Sequence, residues 1–215
     1  MSALQKLNTF ILSHLLNHTE LKMNTQPTEP EPTPELSEAM EKQEQKEHRK
    51  RLREYRKNMR HTLATTRFTQ TTWEENCTSR MINPTAKCIY GTPVQISRQV
   101  LMDSNVFVLE MNNDMDKIMG IGLIKNRPIV GKYVVYSRGN YNRYVYAGKH
   151  RIDREDMTEL EKAILKLLEE LCFRGTNHSK RGQGITGFPI KIQYKSAELG
   201  LHLMESVCEM FKKRM

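Results

Sequence analysis

Residues 105–126, NVFVLEMNNDMDKIMGIGLIKN, hold the two most legible strands of the chain. NVFVLEM (105–111) is dense in apolar and β-branched residues and sits between Asp103-Ser104 and the turn formers Asn112-Asn113-Asp114. IMGIGLIKN (118–126) begins after a gap short enough for a hairpin. Downstream, KYVVYS (132–137) and NRYVYAGK (142–149) flank Arg138-Gly139-Asn140-Tyr141. That spacing predicts a second hairpin, with glycine and asparagine where a positive φ is easily adopted. FPIKIQYK (188–195), in which Ile190, Ile192 and Tyr194 alternate, predicts a further strand.

Two helical patterns accompany these strands. Asp156 or Thr158 can cap a helix that buries Leu160, Ile164, Leu167, Leu168 and Leu171 and ends near Phe173, before Gly175. A C-terminal helix runs from about Ser196, with Leu199, Leu203, Val207 and Met210 inward and the basic residues 212–214 at its negative end. The expected fold is α+β: a mostly antiparallel sheet or small barrel with two packed helices, preceded by a disordered linker and a charged helix.

The globular domain is expected to span 65–215. Ahead of it, Leu4, Leu7, Phe10, Ile11 and Leu15 give residues 1–22 the spacing of a short amphipathic helix. Polar breaks at Ser13, His14, Asn17 and His18, and the lack of a small-residue cleavage site, make this a poor signal peptide. Residues 23–34 include NTQPTEPEPTP, a composition that resists packing. Residues 35–63 predict a charged helix whose apolar positions do not sustain a coiled-coil seam. Its second half, KEHRKRLREYRKNMRH (46–61), carries eight Lys/Arg in sixteen residues. A nuclear localisation signal, a phosphate-contacting arm and a salt-bridged solvated helix all fit that stretch.

The formal charge of +9 is unevenly placed. Residues 126–154 hold five of the eight tyrosines and seven Lys/Arg against one acidic residue, Asp153. Cations interleaved with aromatic rings on strand-like sequence suit a polyanion with flat bases, because guanidinium groups neutralise phosphates and phenol rings stack. The candidate nucleic-acid contacts here are Arg127, Tyr136, Arg138, Tyr141, Arg143, Tyr144, Tyr146, Lys149 and Arg151. A second group lies in the loop RGTNHSKRGQGITG (174–187), where Arg174, His178, Lys180 and Arg181 accompany four glycines whose N–H groups can face an anion. Gly182 to Gly187 spell GxGxxG, but the motif follows a helix and precedes a strand pattern, the reverse of a dinucleotide site.

Other chemistry has less support. Cys77, Cys88, Cys172 and Cys208 form no CxxC pair, and Cys172 and Cys208 sit on apolar helical stretches where buried thiols are expected. No cofactor or metal site is expected. Glu110, Asp114 and Asp116 cluster near the first hairpin as in a metal-dependent nuclease, without the defined spacing of one. No apolar run is long enough to span a membrane, and the cysteines promise no disulfide framework, which fits a reducing compartment; an intracellular protein of the nucleus or cytoplasm is expected.

The blocks VFVLEMNNDMDKIMGIGLIKN, NYNRYVYAGKHRIDR and NHSKRGQGITGFP resemble an uncharacterised protein family encoded by large nucleocytoplasmic DNA viruses. The resemblance covers roughly residues 85–192. The strand order with GIGLIKN in mid-sheet is also similar to PUA-like domains, which implies binding of RNA or modified bases. The expectation from the residues is a nonenzymatic nucleic-acid-binding protein. The alternatives are an assembly protein that engages protein partners through 2–22 and 35–63, and a metal-dependent nuclease.

Overall fold

The computed structural model describes residues 34–131, 133–174 and 178–215. The helix expected over 1–22 and the linker up to residue 33 lie outside the described residues, as do Lys132 and residues 175–177.

Strands β1 (Thr62–Phe68), β3 (Asn105–Asn112) and β4 (Lys117–Lys125) form the centre of a five-stranded sheet. The expected 105–126 hairpin is the antiparallel β3–β4 pair, and β1 lies parallel to β3 on its other side. The edges are β6 (His150–Asp153), beside β4, and the two-residue β7 (Thr186–Gly187), beside β1. A separate antiparallel ribbon pairs β2 (Cys88–Thr92) with β5 (Tyr144–Gly148). Among the described strands only β1–β3 is parallel, and they make an open sheet plus a ribbon rather than a closed barrel.

Period-two alternation sends the side chains of β1 and β3 into two cores. Leu63, Phe107, Leu109 and Met111 face helices α3 (Glu159–Phe173), α4 (Ile190–Glu198) and α5 (Leu203–Lys212). Ala64, Phe68, Val106 and Val108 face the β2–β5 ribbon and Trp73 of α2 (Gln70–Ile82). Covering both faces explains why β3 carries almost no exposed residue.

The α3 start is well specified. Thr158 accepts from the N–H of Glu161 while the Glu161 carboxylate accepts from the N–H of Thr158, a reciprocal capping box. Leu165, Leu167, Leu168 and Leu171 are buried, but Leu160, expected inward, is exposed in the first turn. The C-terminal pattern divides into α4 and α5. Gly200, at φ +78°, ends α4 in a left-handed turn whose neighbour Leu201 donates to the Ser196 carbonyl.

Three expectations are corrected. The charged helix, α1 (Pro34–Asn58), stops before residue 63, because Thr62 to Phe68, with three threonines and a phenylalanine, are claimed by the sheet. The strand expected at 188–195 is helical from Ile190: Pro189 presets the entry, and Ile192 and Leu199 reach the core at helical spacing. The second hairpin does not form, since residues 133–137 make no strand and β5 pairs with β2 instead. Asn142 accounts for this: its Oδ1 accepts from the N–H groups of Val135 and Tyr136, and its Nδ2 donates to the Tyr136 carbonyl, occupying groups a ladder would need.

Candidate nucleic-acid interface

Two of the five tyrosines of residues 126–154 are core. Tyr136 is 6% exposed and Tyr146 1%. The Tyr146 hydroxyl accepts from the Ile96 N–H at 3.1 Å, and the Asn76 amide donates to the Tyr136 hydroxyl at 3.3 Å. Burial pushes both phenols above their ordinary pKa. Their rings pack with Val106, Val108 and Ile124, so the expected stacking platform is absent at these two positions. Tyr141 and Tyr144 remain half-buried, with the Arg143 guanidinium 5.6 Å from the Tyr144 ring centroid.

Several expected phosphate contacts are committed elsewhere. The Arg151 side chain is 4% exposed and grips the fully buried Glu110, Nη2 to Oε2 at 2.7 Å, while also pairing with Asp153. Burial opposes its charge, but Glu110 and Asp153 outweigh that and hold the guanidinium firmly ionised. The Tyr90 hydroxyl donates to the same carboxylate at 2.7 Å. Gly120 makes room for this pair, since a Cβ there would lie 2.7 Å from Arg151 Nη2 and 2.8 Å from a backbone oxygen. Glu110 is thus a structural counter-ion, sealed from solvent, and not a nuclease ligand. Asp114 accepts from the Gln70 N–H at the start of α2, and Asp116 pairs with Lys180 at 2.7 Å. Among the described residues no cluster of three metal-ligating side chains occurs.

Arg127 is exposed but pairs with Asp103 at 2.8 Å. Arg138, Arg143, Lys149, Arg174 and Arg181 are exposed with no ion-pair partner among the described residues. His178 is half-buried. Beneath the glycine-rich loop, Arg67 donates to the Ser179 carbonyl and to the hydroxyls of Thr65 (3.1 Å) and Thr186 (2.8 Å). Most expected cations are therefore outward, and among the described residues Arg143, over the Tyr144 ring, is the one of them set beside an expected tyrosine.

A more concentrated site lies where α1 meets the domain. Leu52, Tyr55 and Met59 are the half-buried stripe of the helix's end, at helical spacing. Tyr55 packs edge-on against Tyr194 of α4 at 5.4 Å, and Arg56 donates to Gln99 Oε1 at 2.8 Å. This docking leaves a cleft of about 640 Å³ between the α1–β1 junction, the 96–101 segment and the start of α4. Its cations are Arg56, Lys57 and Arg60, with His61 beside them, and among the described residues no carboxylate lines it. Leu63, Ile96, Val100 and Phe188 supply an apolar wall.

Comparison with protein-family models, curated proteins and solved structures finds no match to this chain.

The cleft's chemistry follows from its parts. Pro189 holds the cap position of α4 and no side chain caps that end, so the first N–H groups of the helix stay unclaimed by a cap at the cleft wall. Positive helix-end dipole, three cations and missing carboxylates together favour an anion. The cationic half was visible in 46–61. The apolar wall was not, because it is assembled from segments more than thirty residues apart, none with a motif.

Proposed function

We propose that the chain binds nucleic acid, with the cleft at the α1–β1 junction as the principal contact surface and the basic second half of α1 as its extension. The observation that supports this is a cleft of about 640 Å³ lined by Arg56, Lys57 and Arg60 and, among the described residues, by no carboxylate. Unneutralised cations around an apolar wall suit a phosphodiester chain better than a neutral partner. The exposed cations Arg138, Arg143, Lys149, Arg174 and Arg181 add long-range attraction.

Such binding falls with salt, because each phosphate neutralised on a single strand contributes about −0.7 to the slope of log K against log salt concentration. Reversing Lys57 and Arg60 to glutamate is expected to flatten that slope by roughly 1 to 2, measured by fluorescence anisotropy of a labelled oligonucleotide. Both residues are exposed, so folding is retained. An unchanged slope in the double variant removes the cleft from the account, and no binding by the parent protein at low salt ends the reading.

A further inference from the structure

We infer that the end of the protein where β3 begins and β4 ends docks on an anionic lipid surface, with Leu101, Met102, Val130 and Val134 entering the headgroup layer. The inference goes beyond the nucleic-acid reading and does not depend on it.

Residues 99–104 lead into β3 and residues 126–131 leave β4, and Asn105 and Lys125 are register partners, so the two segments start side by side. Hydrogen bonds keep them there. The Asn126 N–H donates to the Ser104 carbonyl at 2.9 Å, and its Nδ2 to the carbonyls of Val100 (2.9 Å) and Leu101 (3.3 Å). The Ser104 N–H closes a tight turn on the Leu101 carbonyl, with Asp103 at φ +61°. Val100 and Ile129 pack inward on the core under the ribbon, and the Ile129 N–H donates to the Val145 carbonyl. Their neighbours Leu101 and Val130 are turned out, 79% and 99% exposed, and Met102 and Val134 are exposed as well. A single exposed apolar residue is ordinary; four on two adjoining segments with a fixed base mark a contact site.

The charge around these side chains names the partner. Residues 98–104 and 125–138 hold five Lys/Arg against one acidic residue, Asp103, and Arg127 pairs with it. Arg98, Lys125 and Arg138 are exposed with no ion-pair partner among the described residues. Leu101 also lines the cleft, so the cations there adjoin this end. Protruding apolar side chains ringed by cations suit a surface that is soft and apolar within and anionic outside. A protein partner fits less well. Four side chains on two turns make a small surface beside the roughly 800 Å² a side that a stable protein interface buries, and they stand out singly instead of forming a groove or flat face.

The test sediments the full chain with vesicles of phosphatidylcholine alone and of phosphatidylcholine with phosphatidylserine, at about 0.15 M salt, where the screening length is about 8 Å. Binding is expected to the phosphatidylserine-containing vesicles. Replacing Met102 and Val130 together by serine withdraws two inserted side chains and should lower the partition coefficient about tenfold or more, with oligonucleotide affinity at the parent value. Both side chains are exposed, so the variant folds. Arg98→Gln should cost about fivefold, the loss expected for one cation at an anionic surface. Sedimentation that the serine variant leaves unchanged overturns the inference, because the overall charge then accounts for it. Absence of sedimentation with both vesicles overturns it too; self-association that the serine variant abolishes would then assign the two turns to a second copy of this chain. Vesicle binding by a parent protein that takes no oligonucleotide leaves this inference standing and ends the nucleic-acid reading.

Discussion

A tyrosine offers a ring for burial and a hydroxyl that must find a partner, and at residue 146 both needs are met inside the protein. The hydroxyl accepts from the Ile96 N–H, so this ring fixes the 96–101 segment that walls the cleft. Tyr146→Phe keeps the ring and orphans that N–H, at an expected cost of about 1–3 kcal/mol in urea denaturation. Any change in oligonucleotide affinity should be indirect, through the loosened 96–101 wall, and should accompany the loss of stability. A loss of affinity with undiminished stability would return Tyr146 to the interface. The sequence suggested exposure because five tyrosines alternate with seven cations, yet alternation equally describes strands with one buried face. Nothing local distinguishes a ring that stacks on a base from one that joins Val108 in a core; the packing of the β2–β5 ribbon on the sheet decides.

Helices α3 and α5 are joined at their ends by Glu161, which caps α3 and accepts from Arg214 at 2.7 Å through both carboxylate oxygens. The hydrogen bonds from Arg214 foremost, opposed by burial and helped by those from Thr158, bring the Glu161 carboxyl down to about 2. In the unfolded chain it titrates near about 4.3. A depressed folded-state value stabilises the protein above the unfolded value, and that contribution is lost as pH falls from about 4.3 through about 2. The melting temperature should drop across that window, and Glu161→Gln, less stable at neutral pH, should drop less steeply there. Parallel curves for the two proteins would show the clamp to be inert. The cap at Thr158 was legible because a capping box is a four-residue signal, and β3–β4 because both strands and their turn are contiguous. The β1 strand was obscured by its polar residues, of which Thr65 and Arg67 are satisfied through Thr186 and Ser179 across 112 residues or more. The α4 helix was misread as a strand because Ile190, Ile192 and Tyr194 fit a period of two over a stretch too short to exclude 3.6.

Taken over all its residues the protein carries +9, and any polyanion will feel that field at low salt. A local site differs from a diffuse one in how affinity depends on where charge is removed. Lys57 and Arg60 sit at the cleft, whereas Arg138 and Arg143 lie on the segment between β4 and β5 and do not line it. Reversing either pair to glutamate changes the net charge by the same amount, so a purely global attraction would weaken equally in both variants. A seat in the cleft predicts otherwise. At about 0.15 M salt the screening length is about 8 Å, and exposed charges farther than that from the bound phosphates contribute little. The Arg138/Arg143 variant should then keep nearly the parent affinity at that salt and fall behind only at lower ionic strength, whereas the Lys57/Arg60 variant should be weak at both. Matched losses in the two variants at physiological salt would mean that the chain holds polyanions by its overall field, with the cleft no more than a gap beside α1.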